Sequence, residues 1–272
     1  MRHLALAASL LILTACSAFA GDCDGCMAEK MCIRHQKEQD DELKAFVKFR
    51  KHKDPMKRKE ALDKIGKLNS EHMNHRSKEM AAAIADLLDD TDAGIRMAAV
   101  NYMKTNQEVK TAKAELGKML DRLVPKVSKK KPEGDSVAAG SAGLEWENAL
   151  VLVKECLTAM AEMGGADVVE YFIRAIKSEN LVLAVDAISK SLAIRSKKLV
   201  ELYLSQFEKM ASGKTADEKA LCTDLARAFS THTLFEEQLG ENRSAWLRNA
   251  RDWWQEKEDT YDPPPEPPKD GE

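Results

Sequence analysis

Cys23, Cys26, Cys32 and His35 are the residues whose types and spacing could do chemistry. The pattern C-x2-C-x5-C-x2-H gathers three thiols and an imidazole in a short stretch, a donor set sufficient for one tetrahedral zinc ion. Met27 stands where a haem c attachment needs histidine. The second C-x2-C half of a zinc ribbon is absent, and in an oxidising compartment neighbouring thiols tend to pair. A thioredoxin-like role lacks its βαβ surroundings. Three readings stay open: a disulfide with a spare thiol, a metal site, and a segment with no defined role. The first is preferred, because a chain end is usually disordered unless tied down, and a disulfide ties it without a cofactor.

Other reactive side chains read as structural. Cys156 and Cys222 fall on or beside apolar helical stripes, where a buried free thiol is ordinary. His72 and His75, three apart, could share a helix face, but no carboxylate stands in clear register with them. Trp253-Trp254 is a core pair more readily than a ligand shelf. The chain has no G-x-S-x-G elbow, no glycine-rich phosphate loop and no H-E-x-x-H pair, so a non-enzyme is expected.

The N-terminus carries an address. Arg2 precedes an apolar run over residues 4–13, the length of a signal-peptide core and too short to span a bilayer. Two exits compete. Ala18-Phe19-Ala20 is an A-x-A site that would release a chain starting at Gly21. Leu13-Thr14-Ala15-Cys16 resembles a bacterial lipobox, which implies cleavage before Cys16 and a lipid attached to it. Either exit gives an exported chain, periplasmic or extracellular, with a membrane link only through lipid. A net charge of −3 gives no global field to recruit nucleic acid, and none is expected as a partner.

Composition and periodicity point to helices. Charged residues make up 32% of the 272 and aromatics 6%, with many Ala, Leu, Glu and Lys. Apolar residues recur at helical spacing through Leu150, Val153, Leu157 and Met160, then Val169, Phe172, Ile173 and Ile176, then Val185, Ile188 and Leu192. Gly164-Gly165 separates the first set from the second. Amphipathic helices joined by such short turns cannot bury their faces alone and must stack.

Residues 87–99, LLDDTDAGIRMAA, resemble the turn and second helix of a HEAT repeat, with Asp92, Arg96, Ala98 and Ala99 at matching places. Residues 159–192 repeat the theme, with Val185 where the Arg would stand and no counterpart of Asp92. The W…WW spacing of Trp246, Trp253 and Trp254 resembles the closing helix of secreted bacterial HEAT-repeat proteins. The resemblance implies an all-α, HEAT-like α-solenoid of stacked antiparallel helical pairs, as one stack or as two lobes joined by a flexible loop.

The expected segments are a signal peptide over 1–20 (1–15 in a lipoprotein), a Cys-rich segment over 21–39 and helical repeats over 40–124. A flexible linker over 125–144, C-terminal repeats over 145–258 and a proline-rich tail over 259–272 follow. The expected core is Leu87, Ile95, Ala99, Leu150, Val153, Leu157, Phe172, Ile173, Ile188, Leu192, Leu204, Phe207, Leu225, Trp246 and Trp253. The function expected is a scaffold for a protein or peptide partner on the concave face, with Asn101, Lys104, Asp186 and Lys190 as contact residues and no cofactor. The alternative is a metal-binding or redox-sensing protein acting through Cys23, Cys26, Cys32 and His35, with zinc as the metal.

Overall fold

A computed structural model describes residues 33–69, 76–106, 108–132 and 137–261. Among these residues every regular element is helical. Eleven α-helices follow one another: α1 Ile33–Phe49, α2 Pro55–Asn69, α3 Ser77–Ala85, α4 Ala93–Lys104, α5 Val109–Val127, α6 Val137–Met163, α7 Val169–Ile176, α8 Leu181–Ser191, α9 Lys197–Met210, α10 Ala216–Thr233 and α11 Arg243–Lys257. A short 3₁₀ turn, Ala166–Val168, leads into α7.

The helix starts are written locally. Asp92 accepts from the Ile95 N–H at 3.0 Å. Asn180 accepts from the Val182 and Leu183 N–H groups at 3.1 and 3.3 Å. Thr215 and Glu218 form a reciprocal capping box at α10, and Asn242 accepts from the Ala245 N–H at 3.0 Å. Each cap satisfies donors that a helix start leaves orphaned. Gly164 and Gly165 end α6 with φ of +60° and +94°, a left-handed path that glycine takes at no steric cost.

Packing alternates along the chain. In one row α1 contacts α3, α3 contacts α5, and so on through α7 and α9 to α11; in the other, α2, α4, α6, α8 and α10 touch in the same order. Sequence neighbours such as α5 and α6, α7 and α8, and α9 and α10 also pack together. Apolar side chains from Phe46 to Trp254 form one continuous buried cluster. Of the expected core, Leu87, Ile95, Ala99, Val153, Leu157, Phe172, Ile188, Leu204, Phe207, Leu225 and Trp246 are buried. Leu150, Ile173, Leu192 and Trp253 are partly buried against the same cluster.

Three helix boundaries differ from expectation. The linker expected over residues 125–144 is largely helical. α5 continues through Pro125 to Val127, since a proline so near the end of a helix costs only one late hydrogen bond. α6 begins at Val137, well before the apolar stripe that betrayed it. Its first turns are built from alanine, glycine and serine, which leave no hydrophobic period to read. α5 and α6 pack directly on each other across this connection. Likewise α1 starts at Ile33 rather than near 40, because its first turns are polar and supported by an Arg34–Glu38 ion pair at 3.2 Å.

Candidate functional site

Two concavities of the described surface bear on function. The larger, about 810 Å³, lies between the α3–α4 turn, α5 and the first half of α6. Several of its polar groups are partnered within the protein, whereas the buried Nε1 of Trp146, in its α6 wall, makes no hydrogen bond. Arg122 is paired with Asp89, Asp90 is held by Arg58, and Arg96 donates to the Asp90 and Thr91 carbonyls at 2.6 and 3.2 Å. A ligand that engaged Asp89, Asp90, Arg96 or Arg122 would have to break those bonds before making its own.

The smaller groove, about 480 Å³, runs over three successive helices of the even-numbered row. α8 supplies Leu181, Val182, Val185, Asp186 and Ser189; α6 supplies Lys154; α10 supplies Asp217 and Ala220. The Val182 side chain is largely open to solvent, at 59% exposure. Val151 of α6, three residues before Lys154, is 49% exposed. The reason lies in α8 itself. Residues 181–185 are all apolar, and helical steps of about 100° cannot turn five consecutive side chains toward one core. Leu183 and Ala184 are buried, Leu181 and Val185 half-buried, and Val182 is left outside.

A charged cluster edges the groove. Asp186 sits between Lys190 at 2.7 Å and Lys154 at 3.4 Å, and Lys190 also donates to the Lys154 carbonyl at 2.7 Å. This joins α6 to α8 and sets the spacing of the groove walls. The structure therefore brings Asp186 and Lys190, two of the four expected contact residues, into one cluster, but as mutually satisfied groups. Lys104 of α4 is half-buried and paired with Glu162 of α6 at 3.0 Å, and Asn101 of α4 is exposed. Sequence reasoning missed Lys154, Val182, Asp217 and Ala220. The apolar run 181–185, one hydrophobic residue too many for a single face, was the signal for Val182.

Cys16, Cys23, Cys26 and Cys32 lie outside the described residues, as do His72 and His75. His35 lies in the first turn of α1, 4.0 Å from the Glu38 carboxylate. Among the described residues no group of three or more His, Cys, Asp or Glu side chains is placed to hold a metal ion. Cys156 and Cys222 are buried free thiols. Burial pushes the Cys156 thiol up to about 12, and its sulfur lies 3.6 Å from that of Met119. Cys222 donates to the Met210 carbonyl at 3.2 Å. Trp253 and Trp254 belong to packing: Trp253 meets Phe229 and Phe235 edge-on, and Trp254 is buried. No described helix is long and apolar enough to cross a membrane. Comparison with family models finds no match to this chain, and comparison with curated proteins finds none either.

Proposed function

We propose that this chain is an exported, non-catalytic α-solenoid of HEAT-like pairs that binds a protein partner along its even-numbered helices. The alternating contacts, α2–α4–α6–α8–α10 beside α1–α3–α5–α7–α9–α11, are those that stacked helical pairs make. The α3–α4 turn supports the family resemblance: Asp92 caps α4 while Arg96 reaches back to the carbonyls of Asp90 and Thr91.

One observation carries the binding reading, the apolar groove over α6, α8 and α10 with Val182 standing open in it. An exposed valine flanked by half-buried Leu181 and Val185 offers a seat for an apolar side chain of the partner. Asp186, Lys190 and Lys154 form its polar rim, and Asn101 and Lys104 extend the same row of helices. The partner's identity follows from capture.

A photo-crosslinking amino acid at position 182 should give a discrete adduct in producing cells, and one at Glu201, exposed on α9 of the other row, should not. Val182→Asp, with the crosslinker moved to Ala220, should abolish the adduct while leaving helical content unchanged. Equal adducts from 182 and 201, or none from 182 across several growth conditions, would refute the reading.

A further inference from the structure

Independently of the groove, the C-terminal end of the described chain is fastened to a buried histidine. His232, in the last turn of α10, has no exposed surface. Neither of its ring nitrogens makes a hydrogen bond, although the Ser191 and Leu192 carbonyls lie close. The ring packs against Tyr203 of α9 with centroids 5.2 Å apart, and the Tyr203 hydroxyl shares a 2.8 Å hydrogen bond with Ser191 Oγ. The backbone carbonyl of His232 accepts from the Tyr261 hydroxyl at 2.7 Å. Tyr261 also packs on Trp254, with centroids 5.1 Å apart. Lys197, opening α9, donates to the Glu258 carbonyl at 3.0 Å and sits 5.9 Å over the Trp254 ring.

The groups facing the imidazole make a poor home for a proton. They are Tyr203 from α9, the Ser191 and Leu192 carbonyls from the end of α8, Arg195 from the α8–α9 turn, and Tyr261 beyond α11. Arg195 donates to the Thr231 carbonyl at 3.2 Å, and its Nε is buried without a partner. Among the described residues no carboxylate acts on the ring.

We propose that His232 is an acid-triggered latch: protonating its imidazole parts the α8–α9 turn from the end of α10 and releases Tyr261 with the segment before it. For a charged imidazole sealed from water and facing Arg195, burial and that like charge outweigh the two nearby carbonyls, so the ring moves toward water, and moving it displaces the carbonyl that holds Tyr261. Burial first, and the Arg195 charge second, bring the closed-state imidazole from 6.5 down to about 4. The released ring binds its proton with ordinary affinity. Opening is therefore favoured as pH falls from about 6.5 toward about 4, and neutral pH keeps the latch shut.

Hydrogen exchange on the full chain, corrected for intrinsic rates, tests this. The opening equilibrium of residues 231–261 should rise about thirtyfold between pH 8 and pH 5, the value implied by a pKa of 6.5 open and about 4 closed. α1 to α5 should keep their protection, and His232→Leu should remove the rise. An equal rise in His232→Leu, or a loss of protection spread over all helices together, would overturn the latch. Should His232→Leu not fold, an NMR titration of the wild-type imidazole decides. Protonation that tracks exposure of residues 258–261 supports the latch, and protonation without that exposure refutes it.

Discussion

Arg58 donates through Nε and Nη2 to the two oxygens of Asp90, both at 2.7 Å, and through Nη1 to the His52 carbonyl at 2.7 Å. Both side chains are largely buried, and the pair joins α2 to the turn that starts α4. Burial works against the Asp90 carboxylate, but the Arg58 hydrogen bonds, the Asp92 N–H and the Arg58 charge outweigh it and hold that carboxyl below its ordinary range. Stability from this pair is thus present above the ordinary carboxylate range and lost as pH falls through the lower, folded-state value. Arg58→Ala should cost about 2–4 kcal/mol at pH 7, because it leaves a buried carboxylate uncompensated, and the deficit should shrink in acid. Urea midpoints at pH 7 and at pH 3 measure both. A second expectation concerns the thiols. With its thiol held protonated up to about 12, Cys156 should resist a thiol-labelling reagent at pH 8 until denaturant is added. Peptide mapping of the labelled chain would show it, and labelling of the folded chain at Cys156 would contradict its burial.

At the scale of elements, helices meet through positions where a side chain is missing. The ring of Tyr102 on α4 packs against Gly66 of α2 so closely that a Cβ at Gly66 would overlap its carbons. The ring crosses there to let its hydroxyl donate to Asp63 at 3.0 Å. Gly66→Ala should therefore destabilise by about 1–3 kcal/mol, although alanine is intrinsically the better helix former by about 1 kcal/mol. In a double-mutant cycle Gly66→Ala should become neutral or stabilising once Tyr102 is Ala; an unchanged penalty would place the cause elsewhere. Asn180 joins two elements differently. Its side-chain oxygen caps α8 while its amide donates to the Val127 carbonyl, 2.9 Å away at the end of α5. Asn180→Ala removes a cap and orphans a buried carbonyl, and should lower stability by about 2–3 kcal/mol in chemical denaturation.

At the scale of the molecule, the buried cluster continues from Phe46 to Trp254 without a break at the connection between α5 and α6. Phe172, wholly buried on α7, sits within it. Phe172→Ala should cost about 3–5 kcal/mol. Because the core is continuous, that loss should shift a single unfolding transition. Circular dichroism, which follows all the helices, and tryptophan fluorescence, dominated by Trp246, Trp253 and Trp254 on α11, should move together. Two separated transitions would mean that the chain unfolds as two units despite the shared core.

The sequence by itself determined the helical class and the break at Gly164-Gly165, and it placed Asp92 in the turn whose following helix it caps. These rest on interactions between residues a few positions apart, which spacing alone reveals. Most of the core residues it named are buried, because a 3.6-residue stripe must face something apolar. It could not place the start of α6, where small residues carry no stripe, nor the early turns of α1, where polar residues hide the helix. The groove was half legible. Residues 181–185 announce a surplus hydrophobic residue, but nothing local says that Lys154 and Ala220, 28 residues before and 38 after Val182, stand beside it. The same holds for the Arg58–Asp90 pair, the Tyr102 ring over Gly66 and the surroundings of His232. Each joins side chains that only the packing of one helix on another brings within reach, and the energy that holds them there belongs to the assembled core rather than to any stretch of the chain.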